Sequence, residues 1–156
     1  MNIFVLDTHP TLAAQAQCDQ HVVKMIVESA QILSTVCRHY GLTAPLKATH
    51  ASHPCVRWVH GSTANYAWLL DHWQALIAEY QQRYGKIHRY VELIPGFLDT
   101  LPPLPDGELT SFVQAMPEHY RVPDDAVSAY RAYYLGEKLK FARWRHGPRP
   151  DWVPKT

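Results

Sequence analysis

Apolar positions recur at helical intervals along most of the chain. Between Asp19 and Tyr40 they are Val22, Val23, Met25, Ile26, Val27, Ala30, Ile32, Leu33, Val36 and Cys37. His21, Lys24, Glu28, Gln31 and Thr35 are left on an arc of roughly 80° at 100° per residue. This pattern predicts a helix buried on most sides, ended by Gly41, with one polar stripe that either meets water or lines a cleft. A second long helix is expected over Thr63–Tyr84, capped by Ser62 and ended by Gly85, with Tyr66, Leu69, Leu70, Trp73, Leu76, Ile77 and Tyr80 in its apolar row. Shorter helices are predicted over Pro10–Ala16 (Asp7 or Thr8 as cap), Pro54–His60 and Ile87–Ile94. Five prolines keep 95–122 mostly irregular, and a last helix is expected from Pro123 to Arg145. Asn2–Leu6 suits one short strand without an evident partner. The expected fold is mainly α, a single compact helical domain of five to six helices over 1–156.

Composition narrows this reading. At 47% hydrophobic and 19% charged, the 156 residues suit a folded globular chain. The net charge of +1 excludes a polycation, so affinity for nucleic acid must come from a local patch. Cys18, Cys37 and Cys55 are odd in number and form no CxxC pair, which predicts free thiols and a cytoplasmic setting. The N-terminal run has no basic region typical of a signal peptide, and no stretch is long and apolar enough to span a membrane. The P-loop, GxGxxG, GxSxG and HExxH motifs are absent, so no organic cofactor is indicated.

Four constellations carry candidate chemistry. In the stripe, Lys24 and Glu28 are four apart, and His21 lies one turn before Lys24. In a cleft, His21 or Glu28 would act as acid or base, with Lys24 as electrostatic stabiliser or amine nucleophile. On a surface they form an ordinary ion pair. THASHPC supplies His50, His53 and Cys55, with His60 beyond, and His53 joins the candidate catalytic set. The spacing matches neither a zinc finger nor HExxH, so metal binding is weakly supported, and Cys55 fits a buried small residue better than a nucleophile. Lys86 and His88 in YGKIHR could hold a phosphate or complement a helix end. In the C-terminal segment Arg131, Lys138 and Arg145 are seven apart and would share a helix face, with Tyr134 between the first two and Tyr130, Phe141 and Trp144 buried. Such basic and aromatic interleaving suits phosphates and stacked bases. Gln114 and Tyr120 lie in a proline-bounded turn that would act as a lid or simply pack.

The segments MNIFVLDTHP, CDQHVVKMIVESAQ, SHPCVRW, NYAWL, RYGKIH, QAMPEHY and AYRAYYLGEK occur in that order and span nearly the whole chain. Together they resemble a family of small proteins found in bacteriophage genomes and some bacteria. The resemblance implies a phage-type setting in which DNA and nucleotide metabolism are common tasks, and it supplies no catalytic residue. The expected protein is therefore an enzyme acting on a nucleobase, nucleotide or nucleic-acid strand, by base modification or by glycosidic or hydrolytic chemistry. His21, Lys24, Glu28 and His53 would be catalytic, and Lys86, His88, Gln114, Tyr120, Arg131, Tyr134 and Lys138 would bind substrate. The alternatives are a non-catalytic DNA-binding or inhibitor protein and a metal-dependent hydrolase using His21, His50, His53 or His60.

Overall fold

The computed structural model describes residues 1–155. Six α-helices follow one another: α1 (Pro10–Ala16), α2 (Asp19–His39), α3 (Pro54–His60), α4 (Thr63–Tyr84), α5 (Ile94–Asp99) and α6 (Ala126–Tyr133). Arg89–Leu93 and Glu118–Tyr120 form 3-10 turns, and Tyr134–Lys138 forms a π turn that extends α6. The fold is mainly α as expected, and the described residues contain no strand.

Helices α2 and α4 are the two longest and pack against each other across a continuous apolar core. Trp73 of α4 is fully buried, and its indole N–H donates to the Ile26 carbonyl of α2 at 3.0 Å. The helix starts explain part of the histidine surplus. His9, His53 and His88 are N-caps, each accepting through Nδ1 from a backbone N–H two residues on. For α1 this replaces the expected Asp7 or Thr8 cap: Asp7 instead accepts from the His9 N–H at 2.9 Å. Ser62 caps α4 by accepting from Asn65 N–H, and Gly85 ends it at φ 64°, where a Cβ would be strained.

Three predicted elements are corrected. Asn2–Leu6 has no regular structure: Leu6 N–H bonds back to Phe4 O at 3.0 Å, Phe4 stacks on His21 of α2, and no strand lies beside the segment. The Ile87–Ile94 helix is instead a 3-10 turn followed by α5, and Pro95 sits in the first turn of α5, where its missing N–H costs nothing. The Pro123–Arg145 helix starts at Ala126 with an Asp125 cap and ends at Lys138. Gly136 lies inside the π turn, and a Cβ there would clash with the Tyr120 hydroxyl. Glycine weakens an α-helix by about 1 kcal/mol relative to alanine, and here it admits Tyr120 against the turn. Past the turn the chain leaves helical geometry, so Arg145 does not share a helix face with Arg131 and Lys138.

Residues 100–117 form a strap without regular structure that crosses α3 and α4. Buried Asn65 holds it: Nδ2 donates to Trp58 O at 2.7 Å and Thr110 Oγ1 at 2.8 Å, and Oδ1 accepts from Thr110 N–H at 3.0 Å. Trp58 Nε1 adds a bond to Ser111 O at 2.9 Å. Asn65→Ala would strand several of these groups, at about 1–3 kcal/mol for each one left unsatisfied. We expect urea melts to show a loss of about 2–3 kcal/mol. An unchanged midpoint would mean that the strap is held without Asn65.

Candidate active site

The polar stripe of α2 is covered by other parts of the chain over most of its length. At its start, His21 is buried between Phe4 and Tyr134. Its ring stacks on Phe4 with centroids 4.4 Å apart, and Nδ1 lies 2.5 Å from the Tyr134 hydroxyl. Burial, with Lys138 and Lys24 nearby, lowers its pKa to about 3, so the ring is neutral at ordinary pH. At the far end, Thr35 is buried under the loop before α3 and its hydroxyl accepts from Thr49 N–H at 3.0 Å. Lys24 is the stripe residue that clearly reaches water, with its side chain 66% exposed.

Glu28 is the centre of the stripe and is 14% exposed. It lies between two amines. The Met1 α-amino group is 3.5 Å from Oε2, and Lys24 Nζ is 3.6 Å from Oε1. Oε2 is buried and accepts no hydrogen bond.

The Met1 amine is placed by the residue after it. Asn2 Nδ2 donates to Ala115 O at 2.9 Å, while its Oδ1 accepts from Ile3 N–H at 2.8 Å and from the Tyr130 hydroxyl at 3.1 Å. Strap, α6 and N-terminal segment therefore meet at one side chain. Met1 and Asn2 open the segment MNIFVLDTHP that carries the resemblance, but neither has a side chain that marks it as part of a site. The only available signal was an apolar, unpaired N-terminal segment that had to cover something.

His53 belongs to the same neighbourhood. Nδ1 accepts the Cys55 N–H at 3.1 Å, which leaves Nε2 to carry the hydrogen in the neutral ring. Burial lowers its pKa, the N-terminal amine and His50 act in the same direction, and Glu28 opposes them. Cys55 is fully buried, and burial pushes its thiol up to about 12, so it is not a ready nucleophile.

Tyr134 and Lys138 lie at the His21 end of the stripe, and the other candidates lie elsewhere. Tyr134 is fully buried, and Lys138 lies over the Tyr133 ring at 4.6 Å and the Phe4 ring at 6.0 Å. Arg131 Nε donates to Leu6 O at 3.0 Å, and its guanidinium lies over Trp152. Gln114 clamps the strap's return by exchanging two hydrogen bonds with the Val122 backbone. Tyr120 donates to Glu137 at 3.1 Å. Lys86 is exposed just past α4, and His88 packs edge-on against Tyr80 and Tyr90. His60 contacts His39, and among the described residues no three His, Cys, Asp or Glu side chains converge on a point suited to a metal. Phe141, expected in the core, is 37% exposed.

Compared with protein-family models, residues 1–93 match the family described as pyrimidine dimer DNA glycosylase. That is more than half of the 156 residues, and it includes α1 to α4. The chain belongs to the pyrimidine dimer DNA glycosylase family. Lys24, Glu28 and His53 all fall within the matched stretch, as do Met1 and Asn2. This chain is thus in a family of enzymes that act on DNA, consistent with the nucleic-acid-modifying enzyme expected from the sequence. Comparison with curated proteins gives no match, and neither does comparison with solved structures. None of the described helices in this glycosylase-family chain is long and apolar enough to cross a membrane.

Proposed function

We propose that the protein breaks the glycosidic bond of one base in a pyrimidine dimer in DNA, with Glu28 as acid/base and a neighbouring amine as nucleophile. The observation that carries this reading is the buried, hydrogen-bond-free Glu28 Oε2 with one amine on each side, in a segment that matches a glycosylase family. An uncharged amine attacks sugar C1′, a C1′–nitrogen bond forms, and the bond from C1′ to the base breaks. The bonding pair leaves with the base, which takes up a proton. Glu28 accepts the proton released by the attacking nitrogen. Opening of the sugar ring then gives an imine between protein and C1′, which water hydrolyses. In a dimer the released base stays joined to its neighbour, so the strand keeps both pyrimidines.

Of the two amines, the Met1 α-amine is favoured. It is held next to Oε2 by the Asn2 anchor, while Lys24 extends into water. α-Amines as a class also give up a proton more readily than lysine side chains. Lys24 then acts as a cation near the strand. His53, with its Nδ1 occupied, would offer Nε2–H to the departing base or a flanking phosphate.

The test uses a duplex with one site-specific pyrimidine dimer and borohydride, which reduces an imine to a stable amine. We expect base release without borohydride and a covalent protein–DNA adduct with it, mapped by peptide mass to residue 1, and retained in Lys24→Ala. An adduct on Lys24 would reassign the nucleophile. Base release with no trapped adduct would remove the amine mechanism, and no base release would remove the glycosylase reading.

A further inference from the structure

The segment after the π turn lies outside the family match and forms a groove that the site itself does not use. The groove has a volume of about 810 Å³ and is lined by Gln20 and Val23 of α2, Tyr84 of α4, and Lys140, Phe141, Arg143, Arg145 and His146 of the C-terminal segment, with Asp19 at its base. Lys140, Arg143, Arg145 and His146 are all exposed.

This segment is pinned to the start of α2. Asp19 N–H donates to Arg143 O at 2.7 Å, and Asp19 Oδ2 accepts from the backbone N–H groups of Arg145 at 2.7 Å and His146 at 3.2 Å. Gln20 closes two more bonds, to Phe141 O at 2.9 Å and from Arg143 N–H at 3.0 Å. Five bonds to two adjacent residues fix the backbone and leave the cationic side chains facing outward. The charge of Asp19 is already engaged from below. Its Oδ1 lies 3.1 Å from Nη1 of Arg83, whose side chain is 1% exposed and also pairs with Glu79 at 2.9 Å. Gly147 allows the chain to pass over that guanidinium, since a Cβ there would clash with Arg83 Nε. Among the described residues no carboxylate pairs with the Arg143 or Arg145 side chain.

We infer that this groove is a second DNA-binding surface, which takes the phosphate backbone of the duplex beside the damaged site through Arg143 and Arg145. The inference rests on the proposed action on DNA. Its position is set by α2, which carries both Gln20 and Glu28. Eight residues of helix separate them by about 12 Å, or roughly three to four base pairs at 3.4 Å per pair. The groove therefore grips the strand a few nucleotides from the base that leaves. Backbone contacts of this kind position an enzyme without reading the bases.

The experiment is a salt titration of binding by the full chain, using a fluorescent duplex with and without one pyrimidine dimer. The variants are Arg143→Ala, Arg145→Ala, the double variant, and Arg143→Lys with Arg145→Lys. Each lost phosphate contact should lower the slope of log K against log[salt] by about 0.9 and weaken binding about eightfold at 0.1 M salt. We expect the double alanine variant to lose about two units of slope on both duplexes, and the double lysine variant to keep it. Alanine variants with an unchanged slope would overturn the groove while leaving the glycosylase reading intact. A wild type that shows this behaviour but releases no base would overturn the glycosylase reading and leave the groove. A wild type without affinity for either duplex would overturn the groove directly.

Discussion

Glu28→Gln is expected to lower base release from dimer-containing DNA by about 10²–10⁴-fold, the range that a positioned acid/base contributes. The substitution keeps the shape of the side chain and removes its ability to hold the nucleophile's proton. Stability should change little. The Lys24 partner is largely exposed, so that ion pair is worth about 0.2–1 kcal/mol at most, and no hydrogen bond to Glu28 Oε2 is lost because it accepts none. The measurements are single-turnover release rates alongside thermal melts. Activity within tenfold of wild type would remove Glu28 from the chemistry. Activity lost together with a collapse of the melting temperature would make the carboxylate part of the structural support of the N-terminal segment.

The protein is also expected to lose stability steeply in mild acid. His21 and His72 are both buried, and burial lowers their pKa values to about 3 and about 4. Gln17 also favours the neutral ring, since His72 Nε2 accepts from Gln17 Nε2 at 3.1 Å, while the bond from Nδ1–H to Pro10 O at 2.9 Å acts in the opposite direction without outweighing burial. In the unfolded chain both rings take up a proton near pH 6.5. Their folded values are depressed, so the unfolded state binds more protons as pH falls below 6.5. The stability is fully present above that pH and is lost as pH falls toward the folded values. Close to two protons are taken up on unfolding at pH 5, a slope of roughly 2–3 kcal/mol per pH unit. From pH 7 to pH 4.5 the loss comes to about 5 kcal/mol, against the 5–15 kcal/mol typical of a folded protein. Burial lowers His53, His60 and His88 too, which adds to the effect, while exposed Asp71 is raised and pulls weakly the other way. Urea melts between pH 7 and pH 4.5 would measure this, and His72→Asn should remove about half of the slope. A stability flat down to pH 4.5 would mean that these rings are protonated in the folded chain.

Local rules were enough for the sequence to determine its long helices. The apolar rows of α2 and α4 repeat over five to six turns, and Ser62, Gly85 and Pro54 mark starts and stops through backbone geometry that needs no partner. The same periodicity isolated Lys24 and Glu28 as a polar pair on an otherwise apolar helix. The C-terminal helix was misread because a π turn has no periodic signature. The seven-residue spacing of Arg131, Lys138 and Arg145 presumes a register that the turn at Tyr134 breaks.

What covers the stripe was decided only by tertiary structure. His21 reads as a mobile acid or base in the sequence, yet Phe4 and Tyr134, 17 positions before it and 113 after it, strip its water and hold it neutral. The Met1 amine reaches Glu28 because Asn2 is fixed by Ala115 and Tyr130, contacts 113 and 128 positions away in the chain. The cations of the groove depend in the same way on Asp19, whose backbone and carboxylate seat a segment more than 120 residues further on. A periodic pattern reports which face of one element is apolar. Which distant group comes to lie on the polar face depends on how the segments between them pack, and that information is spread over the whole core.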